Sequence, residues 1–145
     1  MILDRAALEA KGVKGWALGF EDTVRYRDLD TYNHVNNVVF HSWFEDIRVM
    51  FLEYLDLKLQ EENTAMPVMR TADISFDRQL LPGAKFMVLT KPKRIGTSSF
   101  TLAYQVQSEG IAVVQGSSVI VMSDLAAGKP VALTEKQRQA ISAYL

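Results

Sequence analysis

The spacing of apolar residues changes along this chain, and each change marks an element boundary. Phe20, Asp22, Val24 and Tyr26 alternate with Glu21, Thr23, Arg25 and Arg27, a period of two that predicts a strand running into a loop at Asp28. From 38 to 55 the period lengthens. Phe40, Trp43, Phe44, Ile47, Met50, Phe51, Tyr54 and Leu55 recur at steps of three and four, while Ser42, Glu45, Asp46 and Glu53 fall mostly elsewhere. This predicts one long helix with a broad aromatic face. Alternating segments at about 66–78, 84–95, 98–108 and 111–123 read as four strands able to cover that face.

The connections set the architecture. Leu81-Pro82-Gly83, Ile95-Gly96-Thr97 and Ser108-Glu109-Gly110 are turn signals too short for parallel crossovers, so neighbouring strands run antiparallel. Thr134 followed by Gln137 is a capping-box pattern that opens a final helix. Residues 5–11 are helix-competent and stop at Gly12, so residues 1–17 read as an N-terminal extension and 18–145 as a single domain. The expected class is α+β, a highly curved antiparallel sheet wrapped around one long central helix.

Composition narrows the chemistry. With 145 residues, 48% of them hydrophobic, the chain supports one ordinary core. A net charge of -1 gives no sign of a nucleic-acid or membrane-surface partner. There is no cysteine, hence no disulfide, no thiolate nucleophile and no Cys-ligated zinc. His34 and His41 are the only histidines, so no metal site is expected. No apolar run approaches the roughly 20 residues of a membrane span and the first residues lack a signal core, so the expected compartment is the cytoplasm.

The stretch Asp28-Leu29-Asp30-Thr31-Tyr32-Asn33-His34-Val35-Asn36-Asn37 carries the candidate chemistry. A carboxylate held beside the start of a buried helix has the parts needed to open a thioester. Free backbone N–H groups and the positive helix end stabilise an oxyanion, while Asp30 or Asp28 attacks the carbonyl or activates water. The bland reading is that Asp30, Asn36 and Asn37 only shape the turn and cap the helix, the commonest task of such residues.

At these residues the chain resembles the 4-hydroxybenzoyl-CoA thioesterase-like branch of the hotdog-fold superfamily. The similarity rests on Val24-Arg25-Tyr26-Arg27-Asp28-Leu29-Asp30, His34-Val35-Asn36-Asn37, Glu45 and Arg48 in the helix, and Lys93-Arg94-Ile95-Gly96-Thr97-Ser98-Ser99-Phe100, and covers roughly residues 18 to 133. The resemblance implies hydrolysis of an acyl-CoA, with coenzyme A part of the substrate and no separate cofactor. It places the catalytic aspartate on Asp30 and the oxyanion-polarising backbone N–H on Asn37. It also implies a homo-oligomer, a dimer or dimer of dimers, with protomers pairing sheets side by side and the active site at their interface. Another branch uses His-Gly-Gly and a carboxylate inside the helix. This chain has His34-Val35-Asn36-Asn37, which leaves Glu45 without support as the principal catalyst.

The remaining candidates follow from that frame. His34 is expected to hydrogen-bond within the loop or help place Asp30. Lys91, Lys93 and Arg94 lead into Gly96-Thr97-Ser98-Ser99, a combination of charge and hydroxyl suited to CoA phosphates, with Arg94 and Ser98 favoured by the resemblance. Phe40, Trp43 and Phe44 offer an acyl-pocket wall, with one of the three, Phe40 first, expected to face ligand. Asp28 is expected to pair with Arg25 or Arg27, and Glu45 with Arg48 as a helix-surface ion pair worth about 0.2 to 0.5 kcal/mol. Two other functions fit the same pocket: a non-catalytic acyl-CoA or acyl-carrier binding module, and a hotdog enoyl hydratase or dehydratase using Asp30 and His34.

Overall fold

The computed structural model describes residues 1–57 and 65–145. In chain order the elements are β1 (Ile2–Asp4), α1 (Arg5–Ala10), β2 (Leu18–Thr23), α2 (Asn37–Tyr54), β3 (Ala65–Phe76), β4 (Lys85–Ile95), β5 (Ser99–Ser108), β6 (Ile111–Asp124), β7 (Lys129–Pro130) and α3 (Glu135–Ser142). The strands form one antiparallel sheet in the order β1-β2-β4-β5-β6-β3, with β7 added against β6. It curves around α2, whose Phe40, Trp43, Phe44, Ile47, Phe51 and Leu52 are buried. This is the hotdog fold.

The core follows the periodicities. Phe86, Val88, Phe100, Leu102, Tyr104, Val106, Val114, Ile120 and Met122 on the inner sheet face meet the helix. Trp43 stacks on Phe86 at 4.1 Å between ring centroids and Phe44 on Tyr104 at 4.9 Å, so aromatic pairs fix the helix against β4 and β5. Glu109 and Gly110 both have positive φ, the geometry of a two-residue hairpin that matches the twist of β5 and β6.

Several expectations shift. The first strand ends at Thr23 instead of running to Arg27, because Tyr26–Asp28 turn into a 3₁₀ helix. There the Asp28 Oδ2 accepts the Arg25 backbone N–H at 2.9 Å. Asp28 therefore pairs with neither arginine side chain, and the Arg25 guanidinium goes to Asp22 at 3.2 Å. Two short strands, β1 and β7, had no visible alternation. Pairing of β1 with β2 carries α1 onto the outer sheet face, where Leu3 and Leu8 pack on Leu89 with Trp16 and Met87 around them.

Among the described strands, β3 lies at one edge of the sheet. Most of its residues are exposed, including Met66, Val68, Met69 and Phe76. Its pairing with β6 is interrupted between Met69 and Thr71, which leaves Arg70 as the extra residue of a bulge.

Candidate active site

A compact turn delivers Asp30. Its backbone N–H donates to His34 O at 2.8 Å, its carbonyl accepts from Asn33 N–H at 3.1 Å, and Leu29 bridges Val35 across the base. Asn33 takes a positive φ of 61°, which asparagine tolerates better than most residues. The Asp30 Oδ1 accepts the Tyr32 N–H at 2.8 Å and, longer, the His34 N–H at 3.4 Å. Its Oδ2 has no protein partner among the described residues. The carboxylate is thus anchored by one oxygen and free at the other.

The helix start is built by the next residues. The Asn36 N–H donates to Asp28 O at 2.8 Å, which fixes the chain as it enters α2. The Asn36 side chain accepts the Val38 N–H at 3.1 Å and its carbonyl the Val39 N–H at 2.9 Å. No described group accepts from the N–H of Asn37. An unpaired first-turn amide at the positive end of a five-turn helix is a donor for an oxyanion.

These parts meet in one crevice of about 570 Å³, lined by Asp30, Tyr32, His34 and Val35, by Asn37 and Phe40, and by the segment from Phe76 to Leu80. The Val35 N–H donates to Leu80 O at 3.0 Å and so clips the two walls together. Phe40 contributes to this crevice while packing its ring on Trp43 at 5.2 Å and Phe76 at 5.9 Å. Trp43 belongs to the core. Asp77 stays firmly ionised, because Ser75 Oγ and Gln115 Nε2 donate to it at 2.7 and 3.1 Å and hold its carboxyl below the usual range.

Sequence reading did not single out Phe76, Arg78 or Leu80. They sit in the connection after β3, and only the fold brings that connection against the Asp30 turn.

Lys93, Arg94 and Ser98 lie elsewhere in the protomer. All are at the far end of β4 and β5, whereas the crevice lies near the start of β4. Lys93 is the extra residue of a bulge between Pro92 and Arg94, and its side chain lines a shallow outer-face groove with Trp16 and Lys91. The Lys91 ammonium sits over the Trp16 ring at 4.8 Å. Arg94 is exposed, and the turn holding Ser98 is tied to the C-terminal segment by Arg138 Nη1 to Gly96 O at 2.8 Å and Leu133 N–H to Thr97 O at 3.0 Å.

The Glu45–Arg48 pair also differs from a surface ion pair. Their nearest charged atoms are 3.9 Å apart, and the Arg48 side chain is only 14% exposed. Its Nη1 donates to Tyr104 Oη at 3.3 Å. His41 is exposed beside them. Among the described residues no three His, Cys, Asp or Glu side chains gather as a metal cluster.

A curved antiparallel sheet wrapped around one long helix is the architecture of the hotdog-fold thioesterases. The chain belongs to the thioesterase-like superfamily, whose sequence profile matches residues 24–141. It is 28% identical over 120 residues to the uncharacterized protein YsmA of Bacillus subtilis, covering 82% of this chain and 81% of that one. A thioesterase of Thermus thermophilus, crystallised with coenzyme A and Zn, is 29% identical, with a TM-score of 0.79 over 90% of this chain and 95% of that one. A thioesterase-superfamily protein of Jannaschia sp. CCS1 shares the fold with a TM-score of 0.88 at 21% identity, over 99% of this chain and 93% of that one. No described helix is long and apolar enough to cross a membrane.

Proposed function

We propose that this chain is a cytoplasmic, homodimeric acyl-CoA thioesterase in which Asp30 acts on the thioester carbonyl and the Asn37 N–H polarises it. The observation that carries the proposal is the shared crevice of Asp30 and Asn37, where one carboxylate oxygen and the Asn37 amide have no partner among the described residues. Attack at the carbonyl carbon moves charge onto its oxygen. A single fixed donor at that oxygen is typically worth about 3 to 4 kcal/mol in the transition state.

Asp30 acts by one of two balanced routes. In direct attack, its free oxygen bonds to the carbonyl carbon as the C–S bond breaks, CoA leaves as thiolate, and water then cleaves the mixed anhydride to acid and Asp30. In the general-base route, Asp30 takes a proton from water, the resulting hydroxide adds to the carbon, and the proton passes to the departing sulfur. Both consume one water and give a carboxylic acid and free CoA. His34, whose backbone holds Asp30 on both sides, positions the carboxylate.

The proposed dimer forms through β3. An exposed edge strand with apolar side chains is an open template for pairing. Antiparallel pairing of two such edges sets the Phe76 end of one protomer toward the Ala65 end of its partner. That end of the sheet also carries Lys93, Arg94 and Ser98, so these residues would serve CoA bound at the partner's crevice. The coenzyme A held by the Thermus thermophilus protein is consistent with a CoA-borne substrate.

The test is free-thiol release from short, long and aromatic acyl-CoAs by the wild type and by Asp30→Asn. Turnover of at least one thioester that collapses in Asp30→Asn is expected. Equal rates in both proteins reject the role of Asp30. Tight binding of acyl-CoA with no thiol release replaces the enzyme with a binding module, and hydration of an enoyl-CoA with its thioester intact replaces it with a hydratase.

A further inference from the structure

Beside the crevice at Asp30 lies the seam between α2 and β3. A second cleft of about 180 Å³ is walled by Val38, Ser42 and Phe44 on the helix and by Met69, Ala72 and Ile74 on the strand. Asn37 and Phe40 of the first crevice adjoin Val38 and His41 of the second. Phe76 and Ile74 lie two residues apart on one face of β3, so the two spaces are neighbours along the same seam.

The floor of this second cleft is polar although its walls are largely apolar. Arg48 supplies a guanidinium there, Tyr104 a phenol and Ser118 a hydroxyl. Tyr104 Oη and Ser118 Oγ are hydrogen-bonded to each other, and Ser118 is buried. Arg48 has lost most of its water, yet its polar partners among the described residues are that one phenol at 3.3 Å and a Glu45 carboxylate 3.9 Å away that is itself 70% exposed. A guanidinium presents several N–H donors in a planar fork, and most of those on Arg48 find no acceptor among the described residues. A carboxylate matches such a fork with two parallel hydrogen bonds.

We propose that the acyl groups processed here carry a carboxylate at the end remote from the thioester, and that Arg48 with Tyr104 Oη binds it. The proposal rests on the thioesterase reading and names the substrate class for that site. Position supports it: Asn37 and Glu45, beside which the guanidinium lies, are eight helix residues apart, about 12 Å, the span of a medium-length acyl chain of roughly eight carbons. Glu45 and Asp73 stand exposed on the rim, where their charge opposes anion entry and Glu45 competes for the guanidinium. His41 is the remaining titratable group there.

The experiment compares octanoyl-CoA with suberyl-CoA, the same chain bearing a terminal carboxylate. The wild type is expected to favour suberyl-CoA in kcat/KM by at least about tenfold, the worth of a charge-assisted hydrogen bond. That ratio falls to near one in Arg48→Gln and rises severalfold in Glu45→Gln, an exposed substitution that removes the competitor and leaves the fold intact. If Arg48 only ties the helix to the sheet, its replacement lowers the melting temperature without moving the ratio, and the proposal is overturned. A wild-type ratio at or below one overturns it as well.

Calorimetric binding of both thioesters to Asp30→Asn protein provides a readout independent of turnover. Tighter binding of suberyl-CoA, lost when Arg48→Gln is added, upholds the carboxylate receptor even if no thioester is hydrolysed, an outcome that counts against the thioesterase reading alone. Equal binding of the two thioesters refutes the receptor whatever the hydrolysis data show.

Discussion

Because Oδ1 of Asp30 holds the turn and Oδ2 is left for chemistry, two substitutions at this one residue should separate structure from catalysis. Asparagine keeps an oxygen where Oδ1 accepts the Tyr32 N–H at 2.8 Å and the His34 N–H at 3.4 Å, and it replaces only the unengaged oxygen. Alanine removes both acceptors. The first contact has ordinary hydrogen-bond length and the second is beyond it, so alanine should cost about 1 to 2 kcal/mol and asparagine under about 0.5 kcal/mol. For a chain of this size the alanine cost corresponds to roughly 3 to 8 °C in melting temperature. Activity should divide differently: both variants lose the basic carboxylate, so thiol release should drop by about 10²- to 10⁴-fold in each. Thermal unfolding and free-thiol detection on the same preparations give both quantities. Equal destabilisation by asparagine and alanine would show that the charge, not the acceptor geometry, holds the turn. Asparagine activity within a few fold of wild type would remove Asp30 from the reaction.

Other perturbations test neighbouring steps. Asn36→Ala removes the side-chain acceptor of the Val38 N–H and should cost about 1 kcal/mol in urea unfolding, with a fall in kcat as the helix start loosens around Asn37. A methyl group at Gly116 would lie 2.8 Å from Asp73 O and 3.0 Å from Phe44 Cε2, so Gly116→Ala should destabilise by about 1 to 3 kcal/mol, readable by the same unfolding assay. Sedimentation should give a mass twice 16.3 kDa, and a lysine in place of Met69 on the exposed edge should shift the protein toward monomer and lower activity with it. Partial desolvation and the neighbouring Glu45 raise the Asp46 pKa above 3.8, so the folded state holds that proton more tightly than the unfolded chain and stability declines as pH rises through this window. Asp46→Asn should therefore stabilise slightly at pH 7, by tenths of a kcal/mol after solvent screening, and the gain should vanish near pH 3.

What the sequence discloses and what it hides have a common physical origin. Periodicity records which face of an element meets the core, so the helix was legible from Phe40, Trp43, Phe44, Ile47 and Phe51, and the four long strands from their alternation. The short strand β1 left no such trace, since Ile2–Asp4 is too brief to alternate, and its place is set by pairing with Gly19 and its neighbours. The placing of Asp30 and Asn37 at one crevice was legible because one local turn and one helix start position them both. The opposite wall of their crevice was not, because it depends on the Val35 N–H reaching Leu80 O across 45 residues of chain. Arg48 illustrates the same limit from the other side. Three residues from Glu45 on a helix, it has the spacing of a solvent-exposed ion pair. Only the curvature of β5 and β6, which brings Tyr104 and Ser118 under the helix, turns that arginine inward. Local spacing therefore locates the Asp30 turn and the start of α2, where neighbours in sequence do the work, and is silent about Arg48 and Tyr104, whose contact only the closed sheet creates.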